Sequence, residues 1–173
     1  MTILSTRVPR ILVVDDNRAV LGDFRKVLCQ SSGTYQLRDL EENLFGKVAA
    51  RETRPRYDVV CVESGREALE VVRSACSFRC PFTLAFVDMR MPGWDGVETV
   101  KYLWGLQPNL QIAICSAYMD YSWHEVLEEL KRPGLRLIRK PWTSGEVLGV
   151  VHELLRRANV DQVAPTGSGT QSP

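Results

Sequence analysis

The hydrophobic positions of this chain fall into two alternating patterns. Five short segments are almost continuously apolar, which is typical of strands in a parallel sheet that is covered on both faces. They are ILVV (11–14), YDVVCV (57–62), TLAFV (83–87), LQIAIC (110–115) and LRLI (135–138). The segments between them carry apolar residues three or four positions apart, which predicts amphipathic helices. We expect these helices at residues 17–30, 65–74, 96–106, 122–131 and 144–158.

Strands that alternate with helices in this way predict a doubly wound α/β domain. Ser64 and Thr143 stand at the starts of two predicted helices and are good N-cap residues. Residues 31–56 do not fit the alternation: their leucines follow helical spacing, with acidic residues early and basic residues late, as the helix dipole favours. We therefore expect an extra helix inserted between the first helix and the second strand. Residues 159–173 are rich in Gly, Ser, Thr and Pro, which predicts a flexible tail or linker.

Composition narrows the class of protein. The 173 residues are 45% hydrophobic and 25% charged, as in ordinary globular domains. A net charge of +1 gives no argument for nucleic acid or a membrane surface as a partner. No apolar run approaches the roughly 20 residues that cross a bilayer, and the amino terminus lacks the apolar core of a secretory signal. The cysteines are odd in number and lack metal-ligand spacing, so we expect reduced thiols and a cytoplasmic protein.

Polar side chains end four of the five predicted strands. The first strand runs into Asp15 and Asp16, the third into Asp88, the fourth into Ser116 and the fifth into Lys140. Open α/β sheets bind ligands at the carboxyl ends of their strands, so we expect these side chains to converge. Three clustered carboxylates repel one another, and a divalent cation together with one lysine balances their charge. Oxygen ligands in a small polar site favour Mg²⁺.

This set of residue types fits phosphoryl transfer. A carboxylate can act as a nucleophile and become an acyl phosphate, whose oxygens need a metal, a cation and a hydrogen-bond donor. Asp88 then attacks, Asp15 and Asp16 hold the metal, Lys140 pairs with a phosphoryl oxygen, and Ser116 donates a hydrogen bond. Taken singly, each residue has a simpler explanation, such as a helix cap or a solvated surface lysine. Their order at successive strand ends favours the joint function.

Four motifs occur in the order found in a known family: VVDDN (13–17), VDMRMPGWDG (87–96), ICSAY (114–118) and RKPW (139–142). Over roughly residues 8–158 the chain resembles the receiver domains of two-component response regulators. The resemblance implies a flavodoxin-like (βα)₅ fold with strand order 2-1-3-4-5. It also implies a phosphoacceptor switch rather than an enzyme, with at most self-phosphorylation and self-dephosphorylation activity. Such a switch accepts a phosphoryl group from a sensor histidine kinase or a histidine phosphotransfer protein and then binds a downstream protein target.

The resemblance also implies a role for each site residue. Asp88 resembles the phosphoacceptor and also a metal ligand, with Asp16 as the direct metal carboxylate and Asp15 acting through water. The backbone carbonyl of Arg90 resembles a further metal ligand. Ser116 corresponds to the switch hydroxyl. Lys140 corresponds to the family's lysine, whose bond to the following proline is usually cis.

One departure from the family concerns the aromatic switch. Many receivers carry Tyr or Phe three residues before the lysine, and this chain has Leu137 there. Tyr118 and Trp142 are aromatic residues near the site that could compensate. We therefore interpret Ser116 and Tyr118 as the switch pair.

Alternatives stay open at this point. The chain could be an amino-terminal receiver of a larger signalling protein, such as a histidine kinase or a cyclic-dinucleotide enzyme, and it could form a homodimer. A phosphatase of the haloacid dehalogenase type also uses an Asp at a strand end, but it needs a second Asp two residues later, where this chain has Arg90. The inserted segment 31–56 would either cover an edge strand or dock a partner.

Overall fold

A parallel sheet forms the centre of the domain. The computed structural model describes residues 8–29, 57–117, 123–132 and 134–161. The strands are β1 (Arg10–Val14), β2 (Asp58–Val62), β3 (Leu84–Asp88), β4 (Gln111–Ala117) and β5 (Arg136–Lys140). They form one five-stranded sheet in the order β2-β1-β3-β4-β5, and every neighbouring pair is parallel. The predicted fold and strand order are confirmed.

Helices cover both faces of this sheet. They are α1 (Arg18–Leu28), α2 (Gly65–Ser77), α3 (Gly96–Leu106), α4 (Trp123–Leu130) and α5 (Ser144–Asp161). Because successive strand residues point to opposite faces, β1 divides its side chains between two apolar clusters. Ile11 and Val13 pack with α1 and α5, whereas Leu12 and Val14 pack with α2, α3 and α4. Burial on both faces is the reason why the strands read as continuous apolar runs.

Side-chain caps fix the starts of the helices. Ser64 accepts a hydrogen bond from the backbone N–H of Glu67 at 3.2 Å. Thr143 accepts one from the N–H of Glu146 at 3.2 Å, and Glu146 accepts one in return from the N–H of Thr143 at 2.7 Å. The second pair is a capping box. Both predicted N-caps are confirmed.

Two helices continue further than predicted. Helix α2 continues to Ser77 rather than to residue 74, and α5 continues to Asp161 rather than to residue 158. Residues 159–161 contain no Gly or Pro that would stop a helix, so α5 enters the segment predicted as a tail. The inserted helix predicted at 31–56 and the rest of the tail lie outside the described residues. None of the described helices has the length and apolarity needed to cross a bilayer.

Helices α2 and α3 approach closely where Gly65 meets Thr99. A Cβ atom on Gly65 would lie 2.1 Å from the Thr99 hydroxyl oxygen, so this contact requires glycine. Thr99 is fully buried, and its hydroxyl has no hydrogen-bond partner within the described part of the chain. A buried hydroxyl without a partner costs roughly 1–3 kcal/mol.

Replacement of this hydroxyl by a methyl group should stabilise the domain. We expect Thr99→Val to raise the free energy of unfolding by about 1 kcal/mol, because it removes an unpaired polar group and keeps the side-chain shape. Thr99→Ser is the matched control: it keeps the hydroxyl and loses a buried methyl group, so it should lower the same free energy by about 1 kcal/mol. Urea unfolding followed by circular dichroism measures both changes. A loss of stability in Thr99→Val would contradict the prediction.

Candidate functional site

The site lies at the edge of the sheet where the strands end. Val14 at the end of β1 pairs with Val87 of β3, and Ala117 at the end of β4 pairs with Lys140 of β5. The polar side chains named from the sequence stand at these pairs or directly beside them. The parallel register therefore brings them together, as the strand-end pattern predicts.

Lys140 joins the two buried carboxylates of the site. Asp15 is 1% exposed and Asp88 is 6% exposed. The Lys140 Nζ donates to Asp15 Oδ2 at 2.6 Å and to Asp88 Oδ1 at 2.5 Å. The other oxygen of each carboxylate accepts a backbone N–H, from Asn17 at 2.9 Å and from Arg90 at 3.1 Å. Every oxygen of the two buried carboxylates therefore has a partner.

Three carboxylates of the site together form a set of oxygen donors that suits a hard cation. Asp15, Asp16 and Asp88 each offer a carboxylate oxygen, and these oxygens lie within 4.8 Å of one another. Asp16 is exposed, in contrast to the other two. An all-oxygen donor set with one solvent-facing member suits Mg²⁺, which binds through one or two carboxylates and keeps several waters. These residues therefore fit the expected ion, whereas the role of the Arg90 carbonyl stays a prediction.

Burial and ion pairing oppose each other in this group. Burial raises the pKa of Asp88, and the hydrogen bond from Lys140 offsets part of that rise. Burial alone would lower the pKa of Lys140, but the hydrogen bonds and charges of Asp15 and Asp88 outweigh it and raise that pKa. Lys140 is therefore an ammonium ion at neutral pH and balances one of the two buried negative charges.

Ser116 reaches the same edge but makes a local contact. It is 8% exposed, and its hydroxyl donates to the carbonyl of Ala117 at 3.0 Å rather than to a carboxylate. A cavity of about 40 Å³ lies beside it. Met89, Ser116, Ala117, Trp123, Val126, Leu137 and Arg139 line this cavity. Ser116 therefore has space for rearrangement next to it.

The aromatic residues near the site divide between the two faces of the sheet. Trp142 packs on Phe24 of α1 with ring centroids 4.5 Å apart, in the cluster of α1 and α5. The cavity beside Ser116 lies on the other face, so Trp142 does not contact it, and the idea that Trp142 compensates for Leu137 stays a prediction. Trp123, at the start of α4, lines that cavity and was missed from the sequence. The sequence did contain a signal for this residue, because Trp123 lies at the start of the predicted helix that follows the strand ending at Ser116. Tyr118 lies outside the described residues.

The Lys140–Pro141 peptide bond is cis, as the resemblance implied. It directly follows the lysine that joins the carboxylates.

Comparisons with known proteins agree with this architecture. A family model described as the response regulator receiver domain matches residues 39–152. The chain is 30% identical over 116 residues to the transcriptional regulatory protein ZraR of Escherichia coli (strain K12), covering 66% of this chain and 25% of that protein. It is 25% identical over 147 residues to sporulation initiation phosphotransferase F of Bacillus subtilis (strain 168), and the match covers 84% of this chain and 93% of that protein. A crystal structure of a response regulator receiver domain protein from Clostridium thermocellum shares the fold, with a TM-score of 0.63 at 18% identity. The match covers 88% of this chain and 98% of that chain.

The extent of these matches has two consequences. The chain spans about a quarter of the length of ZraR, so the activity of that whole protein does not transfer. The family match begins at residue 39, after β1. The structure pairs β1 with both β2 and β3, as an interior strand of the same sheet. Asp15 and Asp16 therefore come from outside the matched range and still reach the site.

Proposed function

Because the chain belongs to the response regulator receiver domain family, we propose that it accepts a phosphoryl group on Asp88 and signals through the change that follows. The observation that carries this proposal is the contact of Lys140 with both Asp15 and Asp88. It joins a candidate nucleophile, a candidate metal ligand and a cation in one largely buried group. Arg90 stands where a haloacid dehalogenase phosphatase needs its second Asp, so that alternative is not favoured.

The chemistry requires one bond to form and one to break. A carboxylate oxygen of Asp88 forms a bond to the phosphorus atom of the donor. The bond from phosphorus to the donor's nitrogen or oxygen breaks, and the donor leaves with the electron pair. An imidazole donor then takes a proton from solvent, whereas an acyl phosphate releases a carboxylate. The product is an acyl phosphate on Asp88. Lys140 Nζ lies 2.5 Å from Asp88 Oδ1, which supports the proposed contact of this lysine with a phosphoryl oxygen. The N–H of Arg90 donates to the second carboxylate oxygen of Asp88.

We propose that Mg²⁺ is held by Asp15, Asp16, Asp88 and the carbonyl of Arg90. When bound, the ion neutralises charge on the phosphoryl oxygens. The protein's own part is to hold the carboxylates in place. Lys140 and the backbone N–H groups of Asn17 and Arg90 orient Asp15 and Asp88. Asp16 is exposed and gives the ion an approach from solvent.

Ser116 and Tyr118 form the proposed switch. The Ser116 hydroxyl gives up its contact with the Ala117 carbonyl and donates to a phosphoryl oxygen. The cavity beside it, lined by Leu137 and Trp123, gives room for side chains to follow that movement. The result is a changed surface that a downstream protein recognises.

The proposed donors are a sensor histidine kinase or a histidine phosphotransfer protein. These are the partners of receiver domains in general. Small acyl phosphates should also serve, because the attacking group and its partners all belong to this chain. A relative of similar length is named a phosphotransferase, which supports a relay role as a second candidate.

Phosphorylation by a small donor tests the proposal. The protein is incubated with acetyl phosphate, with and without Mg²⁺, and its intact mass is measured. We expect the gain of one phosphoryl group with Mg²⁺ and none in Asp88→Asn. Asp58→Asn is the control, because Asp58 is an exposed strand carboxylate paired with Arg10, far from the site, and it should behave as the wild type. Uptake that persists in Asp88→Asn would refute the assignment of the acceptor, and no uptake by the wild type would refute the function.

A further inference from the structure

The loop of residues 89–95 joins the candidate phosphoacceptor at the end of β3 to helix α3. Hydrogen bonds hold both of its ends. The N–H of Arg90 donates to Asp88 Oδ2 at 3.1 Å, and the N–H of Gly96 donates to the Met89 carbonyl at 3.0 Å. The first of these bonds orients the Asp88 carboxylate, so the loop has to keep its shape for that carboxylate to keep its orientation.

One side chain ties the exposed part of this loop to the helices beside it. Pro92 and Gly93 are exposed, and Gly93 has a φ of +85°, which glycine adopts without strain. Trp94 follows directly and is half-buried. Its ring stacks on the ring of Tyr102 in α3, with centroids 4.2 Å apart and planes inclined by 20°. The guanidinium of Arg66, at the start of α2, lies 5.0 Å from the centre of the Trp94 ring.

The support for the Trp94 ring is rigid. Arg66 directly follows Gly65, where α2 and α3 approach closely, and Tyr102 lies one turn after Thr99, the residue that Gly65 meets. Two helices that are packed against each other therefore hold one side chain of the loop. An aromatic stack shifts an equilibrium by roughly twofold to tenfold, and a cation–π contact at an exposed position shifts it by roughly twofold to fivefold.

We propose that Trp94 is a positioning residue for the reaction at Asp88. Its contacts with Tyr102 and Arg66 hold the loop closed, so that the N–H of Arg90 stays on the Asp88 carboxylate. Loss of these contacts lets the loop open, and Asp88 then loses one of the groups that orient it. The effect on phosphorylation rests on the proposed phosphoacceptor function, whereas the effect on the loop itself does not.

Amide hydrogen exchange of the full chain, followed by NMR, tests the hold on the loop. Tyr102→Ala removes the stacked ring, and Tyr102 is 45% exposed, so this change should leave the fold intact. We expect exchange at the N–H groups of Arg90 and Gly96 to become roughly twofold to tenfold faster. The N–H of Met89 donates to the Cys115 carbonyl at 2.8 Å where β3 meets β4, and it should exchange at the wild-type rate.

Phosphorylation by acetyl phosphate in the presence of Mg²⁺ gives the second readout. Its initial rate should fall by a similar factor, roughly twofold to tenfold, in Tyr102→Ala. Tyr102→Phe keeps the stacked ring and should behave as the wild type in both measurements. Phe78→Ala is the control, because Phe78 is a 78% exposed aromatic residue at the opposite end of α2 from Arg66, and both readouts should stay unchanged.

Three results would overturn the proposal. The first is unchanged exchange at Arg90 and Gly96 in Tyr102→Ala. The second is equal acceleration at Met89, which would show a general loss of stability rather than a loosened loop. The third is a phosphorylation rate that Tyr102→Ala leaves unchanged, which would refute the role of Trp94 alone. A wild type that takes up no phosphoryl group would instead refute the proposed function, and with it any role of Trp94 in the reaction.

Discussion

Lys140→Met should lower the free energy of unfolding by about 2 kcal/mol in the absence of Mg²⁺, and added Mg²⁺ should restore most of that loss. The lysine is the cation shared by the carboxylates of Asp15 and Asp88, which are almost fully buried. Removing one partner of a buried ion pair costs roughly 3–5 kcal/mol, and we take a lower figure because the Lys140 side chain keeps 22% of its exposure. A divalent cation can replace the missing positive charge. Chemical unfolding with and without Mg²⁺ measures both parts of this effect.

Lys101→Met is the matched control for this variant. Lys101 forms an ion pair with Glu129 at 2.7 Å, and both side chains are about half exposed. Exposed pairs contribute roughly 0–1 kcal/mol, so its loss should have a small effect that does not depend on Mg²⁺. Two results would contradict the charge balance described for the site. One is a Lys140→Met variant as stable as the wild type, and the other is equal stabilisation of variant and wild type by Mg²⁺.

Gly96→Ala should lower the free energy of unfolding by about 3 kcal/mol and strongly reduce phosphorylation by acetyl phosphate. A Cβ atom on Gly96 would lie 2.5 Å from the carbonyl oxygen of Asp88 and 2.8 Å from the Cα atom of Met89. Both are backbone atoms, which cannot turn away as the end of a side chain can. The loop after β3 must therefore move. We expect the loss of free energy of unfolding to lie at the upper end of the roughly 1–3 kcal/mol that overpacking costs. That loop also supplies the Arg90 N–H that holds Asp88.

Gly105→Ala is the control within the same helix. Gly105 lies in α3, and a Cβ atom there would meet nothing within 4 Å. Alanine favours a helix interior over glycine by roughly 0.5–1 kcal/mol, so this variant should be slightly more stable than the wild type and fully phosphorylated. Thermal unfolding and intact mass measure the two variants side by side. Equal stability of Gly96→Ala and Gly105→Ala would show that the loop tolerates the added atom.

The sequence alone predicts that the site residues lie together, because a parallel arrangement of strands requires it. Once the apolar runs are assigned as parallel strands, the residues that follow them must meet at one edge, which is where Asp15, Asp88 and Lys140 meet. The family match that begins at residue 39 does not contain the β1 carboxylates, yet the strand-end pattern predicts them.

Other features depend on side-chain packing that no local pattern encodes. The contacts of the Lys140 Nζ with both Asp15 and Asp88 are one such feature. Trp142 was placed beside the switch because it is close in sequence, but the chain after Pro141 turns toward α1 and carries the ring to the other face. Helix ends also differ, since α5 has no breaker before Asp161.

The contacts of Lys140 join parts of the chain that are far apart in sequence. Lys140 is 125 positions from Asp15 and 52 positions from Asp88. This group cannot form until β5 has joined the sheet, because the lysine lies at the end of that last strand. A chain that ends before β5 would leave the buried carboxylates of Asp15 and Asp88 without the cation that offsets their repulsion.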